Sequence, residues 1–243
     1  MPLRDFLSWD PKFFERSPLF EPLVPLARHF SGEARFPTIA RWNEVLADGL
    51  PVRFQEQAPA PRGRRRHQAP RQHYSSLIHL ERVVPSRAGS WHDFFNALVW
   101  GTFARSKRAL HARQNAAVTS WASGDACRLP NRRTRELDAL ALLDEGGVIV
   151  LEDAEPDLSG ARPEPPGDVR LLVFGHAIYE SLMLRDAPAT CRASTVVVRV
   201  TRLPGNQVSL LDLADRGLEA LLQSAEHFQE PKREQGMLLK LRT

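Results

Sequence analysis

The ten residues Trp91-His92-Asp93-Phe94-Phe95-Asn96-Ala97-Leu98-Val99-Trp100 carry the strongest helix signal in the chain. Ser90, directly before them, is a good N-cap, and Asp93 lies in the first turn, where a carboxylate satisfies free amides and interacts favourably with the helix dipole. No proline interrupts the residues that follow, so we predict one long helix over 91–119. Gly101 is expected to weaken or bend this helix midway.

Prolines divide the chain upstream of this helix into short pieces. They restrict its helices to short ones that begin at or after Pro11, Pro18, Pro22, Pro25 or Pro37. One such helix is predicted from Pro37 to Ala47. A loop rich in proline and arginine is predicted over residues 57–73, because proline opposes regular structure and arginine favours solvent.

After the predicted long helix, leucine-rich segments alternate with segments rich in β-branched residues. Residues 135–151 have leucines, then Asp144-Glu145-Gly146-Gly147, then a β-branched run, which favours a hairpin. We predict helices over 169–184 and 210–228 and a strand over 194–203. These elements predict an α+β fold, namely a helix-rich single domain over residues 1–243 with a small, mainly antiparallel sheet.

Composition favours a protein that folds without cross-links in a reducing compartment. Its 243 residues, 42% of them hydrophobic, are enough for a sizeable core, and its two cysteines are too few for a disulfide scaffold. The N-terminal residues lack an apolar stretch of signal length, and no segment approaches the roughly 20 apolar residues of a membrane span. We therefore predict a cytoplasmic protein with no membrane association.

The net charge of +4 comes mainly from arginine, and the densest block lies in the 57–73 loop. Its arginines could attract nucleic acid or another anionic partner: Arg62, Arg64, Arg65, Arg66. The alternative is a solvated linker. Nucleic-acid modules usually add stacking aromatics, and only Tyr74 lies near, so the sequence favours the linker.

One sector of the predicted long helix mixes polar with aromatic side chains. At about 100° per residue, the following side chains fall within roughly 100° of one another: His92, Asp93, Asn96, Trp100, Phe103, Lys107, His111, Gln114. A solvated face would lack the aromatics, and a core face would lack the histidines and the lysine. The mixture favours a partly buried polar pocket; the alternative is a hydrogen-bonded network that only fixes the helix in place.

A second polar group lies on the 169–184 helix, where His176 and Glu180 are one turn apart and so share a face. A histidine and a carboxylate at this spacing could share a metal ion, form an acid–base pair, or make a structural hydrogen bond. Gly175 suggests close approach of another backbone. Asp144-Glu145 is a third candidate, although Asp is also a common turn former.

Around these residues the chain resembles a bacterial family known as domain of unknown function 3025. The resemblance rests on the Trp91–Trp100 block with Lys107 and Leu110, and on these further segments: Ser8–Pro11, Leu143–Gly146, Phe174–Ala177 with Glu180, His227–Phe228, Pro231–Lys232. It implies a shared site but no established activity.

Two features depart from the family pattern. Where the family reads Leu-Asn-x-x-His, this chain has Leu110-His111-Ala112-Arg113-Gln114, so an imidazole is present at a different position of the helix. If the family histidine were an essential ligand or base, this chain would be impaired. The C-terminal end also lacks the family's proline- and tryptophan-rich tail, and residues 237–243 are expected to form a short strand or fray.

Three hypotheses about function follow. The leading one is an enzyme of hydrolase type with a polar site built from His92, Asp93, Asn96, Lys107, His176 and Glu180. In it a divalent metal would bind His92, His176 and Glu180, or the histidines would act as acid and base, with Asp93 and Glu180 orienting them and Lys107 stabilising an anion. The others are a nucleic-acid-associated protein and a non-catalytic binding protein whose polar cluster is architectural. The sequence lacks a nucleophile motif, a phosphate-binding glycine loop and a cysteine zinc pattern.

Overall fold

The computed structural model describes residues 8–57, 74–121, 134–153, 168–184, 189–229 and 236–241. Its helices are α1 (Val24–Ala27), α2 (Ile39–Val45), α3 (Tyr74–Glu81), α4 (Trp91–Thr102), α5 (Ala104–Trp121), α6 (Arg135–Gly146), α7 (His176–Leu184) and α8 (Gln207–Gln223). Its strands are β1 (Arg53–Glu56), β2 (Val83–Ser86), β3 (Gly147–Asp153), β4 (Val169–Val173), β5 (Ala189–Val200) and β6 (Gly236–Leu241). The predicted α+β class is confirmed. None of the helices in these ranges is both long and apolar enough to cross a membrane.

The N-terminal residues wrap an aromatic cluster around α4. They form short 3₁₀ turns at Phe13–Glu15, Pro18–Leu23 and Arg28–Phe30, besides α1 and α2, as their prolines predict. Aromatic rings from this segment pack at centroid distances of 5.1 to 6.2 Å on one another and on α4: Trp9, Phe13, Phe20, Phe30, Phe36, Trp42, Trp91, Phe94, Phe95. Such rings bury large apolar areas, so this cluster fixes one side of α4 in the core.

The predicted long helix is two helices. The chain leaves helical geometry at Phe103, where φ is −126° and ψ is 53°, and α5 starts at the next residue. Gly101 lies two residues before the break, and a Cβ there would lie 2.6 Å from Leu26 Cδ1 and 2.9 Å from Leu46 Cδ2. The expected weak point is therefore real, and the glycine also lets the N-terminal segment pack closely on α4.

The main sheet has the strand order β4-β3-β5-β6 and is mixed rather than purely antiparallel. The edge pairs β3–β4 and β5–β6 are antiparallel, but the central pair β3–β5 is parallel. A separate two-stranded sheet pairs β1 with β2 in parallel. Between β3 and β5 the chain passes through β4 and α7, and because β4 runs antiparallel to β3, β5 can start at the same end of the sheet as β3 and run parallel to it.

Residues 135–151 do not form a hairpin, contrary to the sequence prediction. Residues 135–146 are α6: the Thr134 side chain accepts a hydrogen bond from the Leu137 amide, and Glu136 and Asp138 lie in the first turn. Leu137, Leu140 and Leu143 are buried along one helical face. The glycine pair therefore joins a helix to a strand, and Asp144 and Glu145 lie in the last turn of α6.

The prediction of a helix over 169–184 is wrong for residues 169–175. Residues 169–173 form β4, paired with β3 from Val148↔Val173 to Glu152↔Val169, and α7 begins at His176. The predicted strand over 194–203 and helix over 210–228 are confirmed as β5 and α8, each with an earlier start and an earlier end. Residues 236–241 form the short strand β6.

Candidate functional site

Helix α4 packs against α7. Phe95 of α4 lies 5.8 Å from Tyr179 of α7 between ring centroids, and the Tyr179 hydroxyl donates a 2.7 Å hydrogen bond to the Val173 carbonyl oxygen. This packing places the first turn of α4 beside the first turn of α7. His92 and His176 therefore meet, although 84 positions separate them in the chain.

The two imidazoles face each other through their Nε2 atoms. These atoms are 3.1 Å apart, and the ring planes are inclined at 73°. Two nitrogen lone pairs at this distance repel, so either a proton or a cation must lie between them. On the other side of the His92 ring, Nδ1 is 3.0 Å from Oε2 of Glu180. Glu180 thus contacts His92 rather than His176, its neighbour on the same helix.

The end of α6 brings two further carboxylates to His176. Glu145 Oε2 lies 3.5 Å from His176 Nε2, and Asp144 Oδ1 lies 3.9 Å from His176 Nδ1. One ligand atom from each of His92, Glu145 and His176 falls within 4.8 Å of the other two. These three residues form the only group of at least three histidine, cysteine or acidic residues with metal-binding spacing in the described ranges.

Gly175 explains how α6 comes so close to His176. A Cβ at this position would lie 2.5 Å from the Glu145 carbonyl oxygen and from the Gly146 amide nitrogen. The backbone nitrogen of Gly175 also donates a 2.8 Å hydrogen bond to the Gly147 carbonyl oxygen. The predicted close approach of another backbone is confirmed.

Burial and neighbouring charges shift the pKa values of the two histidines in opposite directions. Burial lowers the pKa of His176 to about 3, despite the opposing field of Asp144. Burial also acts to lower the pKa of His92, but the hydrogen bond with Glu180 and the charges of Glu145 and Glu180 outweigh it, so the net shift is upward. Of the two histidines, His92 therefore binds a proton more readily, and a proton on its Nε2 would point at His176 Nε2.

Lys107 lies beneath this cluster as part of a buried network. Its side chain has no exposed surface, and Nζ donates to Asp144 Oδ1 at 2.5 Å and to Asn96 Oδ1 at 2.8 Å. Burial acts to raise the pKa of Asp144, but Lys107 and the nearby histidines hold it far below its usual value. Lys107 therefore keeps Asp144 ionised beside His176, and its ammonium group is held by Asp144 and Asn96.

Asp93, predicted to orient a histidine, binds Arg87 instead. Its carboxylate accepts from Arg87 Nε at 2.9 Å and Nη2 at 3.1 Å, and from the Arg87 backbone amide at 2.6 Å. The Asp93 amide donates to the Ser90 side chain, which is the predicted N-cap. Asp93 thus fixes the entry to α4 at the rim of the site.

The residues that depart from the family pattern bond to each other. His111 Nδ1 is 3.0 Å from Gln114 Oε1, and since an amide oxygen only accepts, the proton is on His111 Nδ1. The His111 ring stacks on Trp100, with centroids 5.4 Å apart and planes at 8°. Burial lowers the pKa of His111 to about 3, so this imidazole is neutral.

A cavity of about 440 Å³ opens onto the cluster. Its wall includes His92, Asp93, Asn96, His176, Asp144 and Glu145, together with Tyr74 and Gln114. Five of the six site residues predicted from the sequence thus lie in or directly under one cavity, and Glu180 contacts it through His92. The Glu145 side chain is half exposed to solvent, whereas the His176 side chain is almost completely buried.

The sequence left Asp144, Glu145 and Tyr74 out of the predicted site. The sequence pattern places the Asp144-Glu145 pair in a hairpin turn, whereas the helical spacing of the preceding leucines is the signal for α6. Tyr74 gave no signal, because its neighbours in space come from α4 and α5. The predicted nucleic-acid contacts at Arg62, Arg64, Arg65 and Arg66 lie outside the described residues.

The fold and site define a helix-rich α+β protein with two histidines and a carboxylate converging on an open cavity. A family model described as "Protein of unknown function (DUF3025)" matches residues 63–236. This is more than half of the chain, so the protein belongs to that family, as the resemblance predicted. No curated protein and no solved structure gave a significant match.

Proposed function

We propose that this protein is a metal-assisted enzyme of hydrolase type, whose divalent cation binds His92 Nε2, His176 Nε2 and the Glu145 carboxylate. The observation that carries the proposal is the convergence of the two Nε2 atoms, 3.1 Å apart, with Glu145 Oε2 at 3.5 Å from one of them. Glu180, the carboxylate expected from the sequence to be a ligand, takes the role of orienting His92.

The distances suit a cation. Two nitrogens bound to one tetrahedral Zn²⁺ at about 2.0–2.1 Å lie about 3.3 Å apart, close to the 3.1 Å found here. Metal-binding histidines usually donate their second N–H to a carboxylate or a carbonyl. Here His92 Nδ1 has such a partner in Glu180 at 3.0 Å, whereas His176 Nδ1 lies 3.9 Å from Asp144, beyond hydrogen-bond distance. The set of two histidines and one carboxylate also leaves coordination positions open on the cavity side.

A divalent cation at this place would lower the pKa of a bound water and polarise an oxygen of the substrate. The chain's own groups support that chemistry. Glu180 holds the His92 imidazole with Nε2 directed to the cation, Asp144 places a negative charge 3.9 Å from His176 Nδ1, and Lys107 offsets the charge of Asp144. Hydrolysis is the least demanding reaction for such a set, because water is the only second reactant.

Metal binding provides the direct test. Protein stripped with a chelator would be titrated with Zn²⁺, Mn²⁺ and Co²⁺ by calorimetry, and bound metal counted by elemental analysis. We expect one equivalent per chain. Glu145→Gln should weaken binding at least tenfold without lowering the melting temperature, since the Glu145 side chain is 52% exposed.

The matched control is Asp138→Asn, which removes an exposed carboxylate from the same helix outside the cavity. It should bind metal like the wild type. If the wild type takes up no stoichiometric metal, or if both variants bind alike, the cluster is a hydrogen-bonded network and the architectural hypothesis stands. Metal-dependent turnover of chromogenic esters, amides or phosphodiesters, abolished by a chelator and by Glu145→Gln, would establish the hydrolase step.

A further inference from the structure

A directional chain of hydrogen bonds runs from the buried ion pair to the wall of the cavity. An ammonium group only donates, so Lys107 fixes Asn96 with Oδ1 as the acceptor. The Asn96 amide nitrogen must then donate, and it lies 3.3 Å from the Tyr74 hydroxyl oxygen. Tyr74 accepts this bond, and its own hydroxyl proton is not used in it.

The hydroxyl group of Tyr74 lies at the same cavity as the histidine cluster. Tyr74 and the three proposed ligands all line that cavity, and Asn96 is one helical turn beyond His92 on α4. Although Tyr74 is 40% exposed, the protein around its hydroxyl and the charges of Asp144 and Asp93 raise its pKa above the ordinary value. The phenol therefore keeps its proton at neutral pH and acts as a donor.

Gln114 supplies a second donor on the same wall. Its Oε1 accepts the proton on His111 Nδ1, which leaves the amide NH₂ outside that bond. The cavity thus presents donors whose orientation is set by buried partners. Preorganised donors of this kind stabilise an oxygen that gains negative charge during a reaction.

The charges at the cavity disfavour a phosphoryl substrate. Three carboxylates line it (Asp93, Asp144 and Glu145), while Arg87, the one guanidinium on its described wall, is engaged by Asp93 through two nitrogens. Lys107 is likewise held by Asp144 and Asn96. Phosphoryl-transfer sites clamp the phosphate with arginine, lysine or several cations, so an uncharged acyl group suits this site better.

We propose that Tyr74 is a catalytic residue that donates its hydroxyl hydrogen bond to the carbonyl oxygen of a carboxylic ester or amide in this cavity. The inference rests on the proposed metal-assisted hydrolase function. The oxygen of water bonds to the carbonyl carbon, and the carbonyl π pair moves onto the oxygen that Tyr74 contacts. The C=O bond then re-forms, the C–O or C–N bond breaks, and the leaving group takes the proton that the water lost.

The test uses Co²⁺-loaded full-length protein and acetohydroxamate, a small acyl group that chelates metals and offers a carbonyl oxygen to a donor. Binding would be followed by visible absorption for the wild type and for Tyr74→Phe, which removes only the hydroxyl oxygen and its proton. We expect at least a tenfold weaker hydroxamate Kd in the variant, with Co²⁺ affinity and melting temperature unchanged.

Thr119→Val serves as the control, because it removes a hydroxyl that bonds to Asn115 and does not line the cavity. It should bind hydroxamate like the wild type. If Co²⁺ binds but the wild type and Tyr74→Phe have the same hydroxamate Kd, the role of Tyr74 is overturned while the metal site stands. If inorganic phosphate binds more tightly than hydroxamate, the acyl substrate class is overturned. If the wild type binds no Co²⁺, the proposed function itself fails, and this inference with it.

Discussion

Lys107 contributes both to the stability of the fold and to the geometry of the candidate site. It is fully buried and makes both a 2.5 Å ion pair with Asp144 and a 2.8 Å hydrogen bond to Asn96. Its partner Asp144 lies beside His176. Its other partner, Asn96, donates a hydrogen bond to the Tyr74 hydroxyl oxygen, so Lys107 also sets the direction of that bond. Replacing it should therefore affect both the fold and the cavity.

We expect Lys107→Met to destabilise the protein by about 3–5 kcal/mol, because it leaves the buried Asp144 carboxylate without its partner charge. Urea unfolding at neutral pH measures the change. The double variant Lys107→Met/Asp144→Asn removes the stranded charge and should recover part of the loss. A single variant that loses less than about 1 kcal/mol would show that water or another group compensates Asp144.

At the scale of elements, the site depends on how closely α6, α7 and the start of β3 approach one another. The Phe174 and Gly175 amides both donate to the Gly147 carbonyl oxygen, at 2.9 and 2.8 Å. This contact fixes the last turn of α6, with Asp144 and Glu145, beside the first turn of α7. The glycines are needed because side chains would keep the two backbones apart.

Gly175→Ala tests this contact. The new methyl group would overlap backbone atoms of Glu145, Gly146 and Gly147, which cannot move as a flexible side chain would. We expect a loss of about 1–3 kcal/mol or more in the free energy of unfolding, together with weaker metal binding. Gly205→Ala is the control, since a Cβ there meets nothing within 4 Å. Equal melting temperatures for the two variants would contradict the close-packing argument.

Helix α5, which carries Lys107, His111 and Gln114, has its first amides capped by another helix. Asp215 of α8 accepts hydrogen bonds from the Arg105 amide at 3.1 Å and the Ser106 amide at 2.8 Å. Asp215→Ala leaves both amides without this acceptor, and we expect a loss of about 1–2 kcal/mol by chemical denaturation. Asp215→Asn keeps one side-chain oxygen as an acceptor and should retain most of the stability.

Asp215 should also make the stability of the protein depend on pH. Burial raises the pKa of Asp215 in spite of its hydrogen bonds, so the native state holds this proton more tightly than the unfolded state. Its contribution to stability is complete below the unfolded pKa of about 4 and is lost as the pH rises through the raised native value. Asp215→Asn should flatten this part of the stability–pH curve. An unchanged slope between pH 4 and neutrality would contradict the shift.

At the scale of the whole molecule, buried residues from Phe13 to Leu222 form one continuous hydrophobic cluster. The N-terminal aromatics, α4, α7 and the sheet all contribute to it, so both ligand-bearing helices are fixed by the same core. The sequence-based prediction of a single domain over residues 1–243 is in keeping with this cluster and stays a prediction.

The role of the loop rich in proline and arginine, residues 57–73, is predicted from the sequence alone and can be tested by deletion. Its composition predicts that removing Pro59–Pro70 leaves the melting temperature nearly unchanged, because loop length costs only about 0.6 kcal/mol per doubling. The deletion should instead weaken binding to heparin or RNA, and replacing the arginines by glutamine in the intact chain should do the same. Unfolding on deletion would show that the segment belongs to the core.

The sequence by itself determined features that depend on neighbours along the chain. The Ser90 cap, the weak point near Gly101, the short N-terminal helices and the close approach at Gly175 all follow from local rules. The family pattern identified His92, Lys107 and His176. Sequence patterns predicted the wrong secondary structure in residues 135–151 and 169–173, where the same residues suit a strand or a helix. There, pairing with segments distant in the chain decides which of the two forms.

Only the tertiary structure decided which polar groups meet. His92 and Glu180 were each visible in the sequence, but their contact depends on the packing of α4 on α7. Glu145 becomes the carboxylate nearest His176 Nε2 because α6 ends against Gly175, and Tyr74 reaches the site through Asn96. The physical reason is that a helix fixes the spacing of side chains on its own face, whereas distances between helices are set by the core that packs them.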